Sequence, residues 1–180
     1  MLKLPIVVLD KNRIQDIMDH CPLDKTGDRD SDLIAFLYGT GLRISEALNL
    51  KKEDIDFERN TVLVRNGKNG KARIVAASKL AMDAIADYYT AAKPNTPIWG
   101  ITDSAVRKRM RILAKRMGMP RIHAHSIRHA HAVALAKAGV SLNYIQQQLG
   151  HSNIGTTSLY LQRYNPDERI LAVLNAMGGI

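Results

Sequence analysis

The sequence predicts a mainly α (α+β) domain in which helices enclose one small three-stranded antiparallel sheet. Three observations predict it. Apolar residues recur at helical spacing before residue 50 and again from residue 79 onward. Between those stretches the pattern shortens to the alternation of strands. No linker divides the chain, and neither an internal repeat nor a low-complexity tract occurs, so residues 1–180 are expected to form one domain.

The elements follow in order. Asp10 is placed to cap a helix whose Ile14, Ile17, Met18 and Cys21 share one face. The stretch PLDKTGDRD reads as a polar loop, and Ser31 opens a second helix carrying Leu33, Ile34, Leu37 and Tyr38. Gly39 and Gly41 interrupt that helix, and a short third one spans roughly 44–48. DIDFE, TVLVRN and KARIVAA read as strands joined by Arg59-Asn60 and by a Gly-Lys-Asn-Gly turn. From Lys79 a helix presents Leu80, Ala84, Ile85 and Tyr88, and Pro94 and Pro97 end it. Thr102 or Ser104 starts a basic helix with Val106, Met110, Leu113 and Met117 inward and Arg107, Lys108, Arg111 and Lys115 on its other face. The next helix spans about 126–138 with Gly139 as its stop. Ser141 caps another that ends at Leu149-Gly150, and a further helix carries Tyr160. Asn165-Pro166-Asp167-Glu168 opens a last helix bearing Ile170, Leu171, Leu174 and Met177.

Lys and Arg outnumber Asp and Glu by 26 to 17, a net charge of +9. That surplus favours a polyanionic partner, because each neutralised phosphate releases counterions from a nucleic acid. Charge alone does not separate nucleic-acid binders from membrane-surface proteins or basic enzymes, so the four cations of the basic helix read equally as a DNA contact or a solvated face. A lone cysteine, Cys21, excludes an intramolecular disulfide and reads as a small core residue in a reducing, cytoplasmic setting. No apolar run is long enough to span a bilayer, and the N-terminal residues lack the form of a secretory signal.

The densest chemistry lies in IHAHSIRHAHA, with His123, His125, His129 and His131. His125 and His129 are spaced as helical zinc ligands are. Yet no Glu stands between them, the cysteine is far away, and no carboxylate follows at ligand spacing, so no metal is expected. His123 and His131 read as surface or hydrogen-bonding residues. A second grouping explains more: His125 and Arg128 share a helical face, Arg43 follows a Thr-Gly-Leu turn, and Lys68 sits at a hairpin tip. His151 follows a helix end, and Tyr160 comes nine residues later. Phosphoryl transfer needs such a set. Arginines fork onto non-bridging oxygens and offset the added charge of the transition state. A tyrosine hydroxyl with pKa about 10 needs a base or a strongly positive site to attack near neutral pH. A lysine can protonate a departing sugar oxygen, and no metal is required if cationic side chains carry the charge.

At this point the chain resembles a known family. TGLRISEALNL at 40–50 resembles the first arginine box of the tyrosine recombinases, which include the phage integrases and Xer proteins. HSIRHAHA at 125–132 is similar to the family's H-x-x-R-H box, and LGHSNIGTTSLY at 149–160 to its closing box. GKNGKAR at 67–73 resembles the lysine-bearing turn between the second and third strands. The resemblance covers roughly residues 5 to 178 and implies the helical catalytic domain of the DNA breaking-rejoining enzymes, acting without a cofactor. It implies that Tyr160 attacks the scissile phosphate and becomes joined to a 3′ end, while Arg43 and Arg128 hold the phosphate. His125 would help move the tyrosine proton, Lys68 would be the general acid for the 5′ oxygen, and His151 would hydrogen-bond the phosphate.

Each role has a rival. Arg43 can pair with Glu46, one turn away, which the resemblance makes an orienting contact. Lys71 shares the hairpin with Lys68 and competes for its role, and Lys71 is also a candidate DNA-binding residue. Tyr164 and Tyr144 compete with Tyr160, but the spacing from His151 favours Tyr160. Larger relatives carry an N-terminal helical domain that grips the opposite face of DNA. Here the first arginine box begins at residue 40, so the expectation is a minimal member or a catalytic fragment without that core-binding domain. The resemblance also implies a tetramer on double-stranded DNA, linked by exchange of the final helix between subunits. Alternatives are a topoisomerase that nicks and reseals, and a DNA-binding regulator that has kept the fold without turnover.

Overall fold

The computed structural model describes residues 9–65 and 72–150. Seven α-helices and one three-stranded sheet form among the described residues. The helices are α1 (Lys11–Asp19), α2 (Lys25–Thr40), α3 (Ile44–Leu48), α4 (Lys79–Ala91), α5 (Asp103–Arg116), α6 (Ala124–Lys137) and α7 (Leu142–Leu149). The strands are β1 (Ile55–Asp56), β2 (Thr61–Val64) and β3 (Arg73–Ala76), antiparallel in the order β1-β2-β3. Mainly α with a small antiparallel sheet is thus the observed class.

Local chemistry sets most boundaries. The Asp10 carboxylate accepts from Arg13 N at 2.8 Å and starts α1. Thr102 and Ser141 cap α5 and α7 in the same manner. Asn60, with φ +51°, makes the turn between β1 and β2. Gly41 (φ +68°) ends α2, and Gly150 (φ +62°) ends α7, in the left-handed conformation that a side chain disfavours.

Several expectations need correction. The stretch PLDKTGDRD is not a loop: Asp24 accepts from the backbone N–H groups of Thr26 and Gly27, both at 2.8 Å, and α2 starts there rather than at Ser31. Gly39 lies inside α2 rather than interrupting it. Leu80 is exposed, and α4 buries Ala81 and Met82 beside the expected Ile85, with Ala84 and Tyr88 partly buried against the core. The helix expected at 126–138 also begins two residues earlier, which puts His125 in its first turn.

The second half of α2 is the axis of the core. Leu33, Ile34, Ala35, Phe36 and Leu37 are all buried, because α1, α4 and α6 pack around this one helix. Trp99 lies edge-on to Phe36, with ring centroids 5.4 Å apart, and beside Tyr88 at 4.9 Å. Cys21 is buried, and its thiol is pushed up to about 11 by that burial and by Asp30. No helix among the described residues is long and apolar enough to cross a membrane.

Candidate functional site

Five segments meet where α2 ends. Arg43 follows the Gly41 turn, Glu46 lies on α3, Arg73 on β3, Arg128 on α6, and Leu149-Gly150 close α7. Their common centre is the Glu46 carboxylate, whose side chain is only 5% exposed. Arg43 donates to it twice, from Nη1 to Oε1 at 2.7 Å and from the backbone N–H to Oε2 at 2.9 Å. Arg73 forks onto the same group, with Nη1 to Oε1 and Nη2 to Oε2 both at 2.9 Å. Arg128 Nη1 stands 3.8 Å from Oε2. Burial works to raise the Glu46 pKa, but hydrogen bonds from Arg73 and from the Arg43 backbone outweigh it and hold the carboxyl below its ordinary range.

The arginines are also tied to carbonyl oxygens. Arg128, with a side chain 4% exposed, donates to Gly41 O at 2.7 Å and to Leu149 O. Arg43 Nη2 donates to Gly150 O at 3.3 Å, and Arg73 Nε to Gln148 O at 3.3 Å. These contacts join the end of α7 to the turn that carries Arg43. Gln148 strengthens the joint: its amide nitrogen donates to Thr40 O at 2.9 Å and Ala76 O at 2.7 Å, and its amide oxygen accepts from Ala76 N at 3.0 Å.

Two histidines of α6 take different parts. His125 is exposed, yet enough of its ring is packed to disfavour the charged form, and Arg128 and Arg43 lower its pKa further. A neutral imidazole can accept a proton near neutral pH. His131 is buried, and its Nδ1 lies 2.6 Å from Tyr38 O, so that nitrogen is the donor. Burial pushes its pKa down to about 4, with Arg128 adding to the effect. His131 packs so closely on Gly41 that a Cβ there would come within 2.4 Å of its ring. His123 is an exposed residue at the start of α6, and His129 is partly buried.

Beside this node runs an open groove of about 710 Å³ between α5 and the start of α6. Arg107, Arg111, Lys115, Arg121 and His125 line it, with Ile44 at its α3 side. Arg107 is forked onto Asp103 at 2.8–2.9 Å, so part of its charge is neutralised. Lys108 is exposed but does not line the groove. A second groove of about 540 Å³, mainly apolar, lies between α2, β3, α6 and α7, with His131, Leu135, Val140 and Tyr144 along it.

The structure therefore brings Arg43, His125 and Arg128 together, with Glu46 in the orienting position. Lys68, Lys71, His151, Tyr160, Tyr164 and the segment 166–180 lie outside the described residues. Tyr144 is 66% exposed on α7. Sequence reasoning missed Arg73, Gln148 and Arg121. Arg121 had a signal in its place beside the histidine cluster. Arg73 and Gln148 act on groups 27 and 108 residues away, which no local pattern reports.

Residues 7–166 match the phage integrase family. The chain is 36% identical over 141 residues to the tyrosine recombinase XerA of Pyrococcus horikoshii, covering 73% of this chain and 50% of that protein. It is 36% identical over 153 residues to the tyrosine recombinase XerC of Staphylococcus aureus, covering 78% and 51%. The chain thus spans about half the length of the curated relatives it matches. Among solved structures, that of XerA recombinase superposes with a TM-score of 0.76 at 23% identity, over 98% of this chain and 66% of that one. The Tn1549 transposon integrase in complex with circular intermediate DNA gives 0.73 at 26% identity, over 88% and 61%.

Proposed function

We propose that this chain, which belongs to the phage integrase family, is the catalytic domain of a site-specific DNA recombinase. It cleaves and rejoins double-stranded DNA through a 3′-phosphotyrosyl intermediate, in integration, excision or inversion. The observation that carries this reading is the gathering of Arg43 and Arg128 on one buried carboxylate, with His125 on the same helix as Arg128. Fixed guanidinium charges at that spot suit a phosphodiester gaining negative charge.

In the reaction, the Tyr160 oxygen attacks phosphorus and the tyrosine proton passes toward His125. The bond from phosphorus to the 5′ oxygen breaks, and Lys68 protonates that oxygen, with Lys71 the alternative donor. Arg43 and Arg128 offset the charge on the non-bridging oxygens, and His151 hydrogen-bonds one of them. The energy of the broken bond stays in the phosphotyrosine, so a 5′ hydroxyl from another strand reverses the step with no cofactor. DNA follows the basic groove along Arg107, Arg111 and Lys115, with Lys108 beside it. The buried Cys21 fits action in a reducing cytoplasm.

Assembly completes the proposal. Subunits join as a tetramer on DNA by exchanging the segment 166–180, whose Ile170, Leu171, Leu174 and Met177 would cover an apolar surface such as the groove beside Leu135 and Tyr144. Deleting 166–180 is expected to abolish DNA-dependent assembly, and unchanged assembly would remove the exchange from the reading.

The central test is covalent trapping on duplexes drawn from sequences flanking the gene, carrying a nick or a bridging 5′ phosphorothiolate. A protein–DNA band that survives denaturant and vanishes in Tyr160→Phe is expected. A band that persists in the mutant moves the nucleophile elsewhere, with Tyr164 first. DNA binding with no band on any substrate counts against turnover by this chain.

A further inference from the structure

We propose that Arg73 is a positioning residue of the phosphate site: its fork on Glu46 sets the charge and geometry with which Arg43 and Arg128 meet a phosphate, and its guanidinium supports the Gly150 turn that leads into His151. The inference rests on the recombinase reading and deepens it. Arg73 closes the GKNGKAR stretch at 67–73, where the resemblance gave a role to Lys68 and none to Arg73.

Among the described residues Arg43, Arg73 and Arg128 gather at one carboxylate, Glu46, so Arg73 adds a positive charge to the node. A phosphodiester carries one negative charge, and attack by an oxyanion adds another in the transition state. Without Arg73 the node would lose one of those positive charges, and Glu46 would draw more strongly on Arg43 and Arg128. Both oxygens of Glu46 already accept a bond from Arg43, and Arg73 binds both again, which fixes the plane of the carboxylate.

Gly150 lies against the Arg73 guanidinium, where a Cβ would stand 2.8 Å from both Cζ and Nε. Arg73 Nε also donates to Gln148 O, two residues before that turn. The strand leading from the lysine hairpin, the arginine-bearing turn and the approach to His151 are thereby joined through one side chain. With only 13% of it exposed, that side chain suits support rather than contact with substrate.

The test uses the full chain in the trapping assay, on oxygen-bridged nicked duplexes and on 5′-phosphorothiolate duplexes. A thiol leaving group needs no proton, so sulfur relieves a defect in the general acid but not one in the arginines. Arg73→Gln is expected to slow covalent-complex formation at least about tenfold on both substrates, whereas Lys68→Ala is slow only with oxygen. Arg73→Lys, which keeps the charge without the fork, should recover part of the rate, and it carries the comparison if Arg73→Gln does not fold. Gly150→Ala should slow wild type more than it slows Arg73→Gln, because the clash is with Arg73 itself. Wild-type rates in Arg73→Gln, or full rescue of Arg73→Gln by sulfur, would overturn the proposal. A wild-type chain that forms no Tyr160-dependent complex would instead overturn the recombinase reading. The Arg73 proposal is then judged by the Glu46 carboxyl, followed by carbon NMR: its titration should move upward in Arg73→Gln or Arg73→Lys, and an unmoved titration refutes it.

Discussion

The arginine node and the basic groove carry the same kind of charge in opposite ways. In the node, Glu46 and Arg128 are buried, and every arginine donates to a carboxylate or a carbonyl held by another segment of the chain. In the groove, Arg111, Lys115 and Arg121 are exposed on a helix and the loop after it. Water and salt screen the groove charges, so their pull on a polyanion would weaken as salt rises. The node charges are screened less, because Glu46 and Arg128 are buried, at the cost of a network whose members depend on one another. Chemistry at one phosphate calls for the buried arrangement, and tracking a long polyanion calls for the exposed one.

The contrast can be broken most sharply at Glu46. Glu46→Ala removes the carboxylate that Arg43 and Arg73 share and that Arg128 approaches, and the expected destabilisation is about 3–5 kcal/mol by urea unfolding. A loss under about 1 kcal/mol would mean that the node relaxes as readily as a surface pair.

His131 gives the next largest effect, and pH reads it. Its folded pKa, about 4, lies below its unfolded value near 6.5, so the unfolded chain binds the proton first as pH falls. Stability is therefore complete above about pH 6.5 and erodes by roughly 3 kcal/mol on the way down to pH 4. His131→Phe should flatten that interval, and equal slopes in the two proteins would show that the ring is charged in the fold. Gly41→Ala comes third. It places a Cβ 2.4 Å from the His131 ring at a left-handed φ, with an expected cost of about 2 kcal/mol in thermal unfolding.

The groove should respond least in stability and most in salt dependence. Arg111→Ala and Lys115→Ala are each expected to shift unfolding by less than about 0.5 kcal/mol. Each should make the slope of log affinity against log salt shallower by about 0.9 for every phosphate that the side chain neutralises. An unchanged slope would make that face merely solvated.

The same division governs what could be read beforehand. The basic stripe of α5, its Thr102 cap and its inward Val106, Met110 and Leu113 are all local patterns, and all were legible. So were the Asp10 and Ser141 caps and the three strands. The start of α2 was not, because its first two turns are polar and Gly27 looks like a breaker. In the fold, Gly27 is the contact point under Pro22, where a Cβ would lie 1.9 Å from the carbonyl oxygen. In the site, Arg43, His125 and Arg128 were legible as motif residues, and Glu46 as the partner of Arg43. The fork of Arg73 and the bridge of Gln148 were not, since each is a long-range contact between segments whose meeting no spacing announces.

Gln148 has one more consequence. Strand β3 lies at the edge of the sheet, and such an edge invites a second chain to add a strand. The Gln148 side-chain amide bonds both the N–H and the C=O of Ala76, in the manner of a neighbouring peptide group. At that residue the margin of the sheet is already occupied, so a strand added along β3 would first have to displace the Gln148 amide.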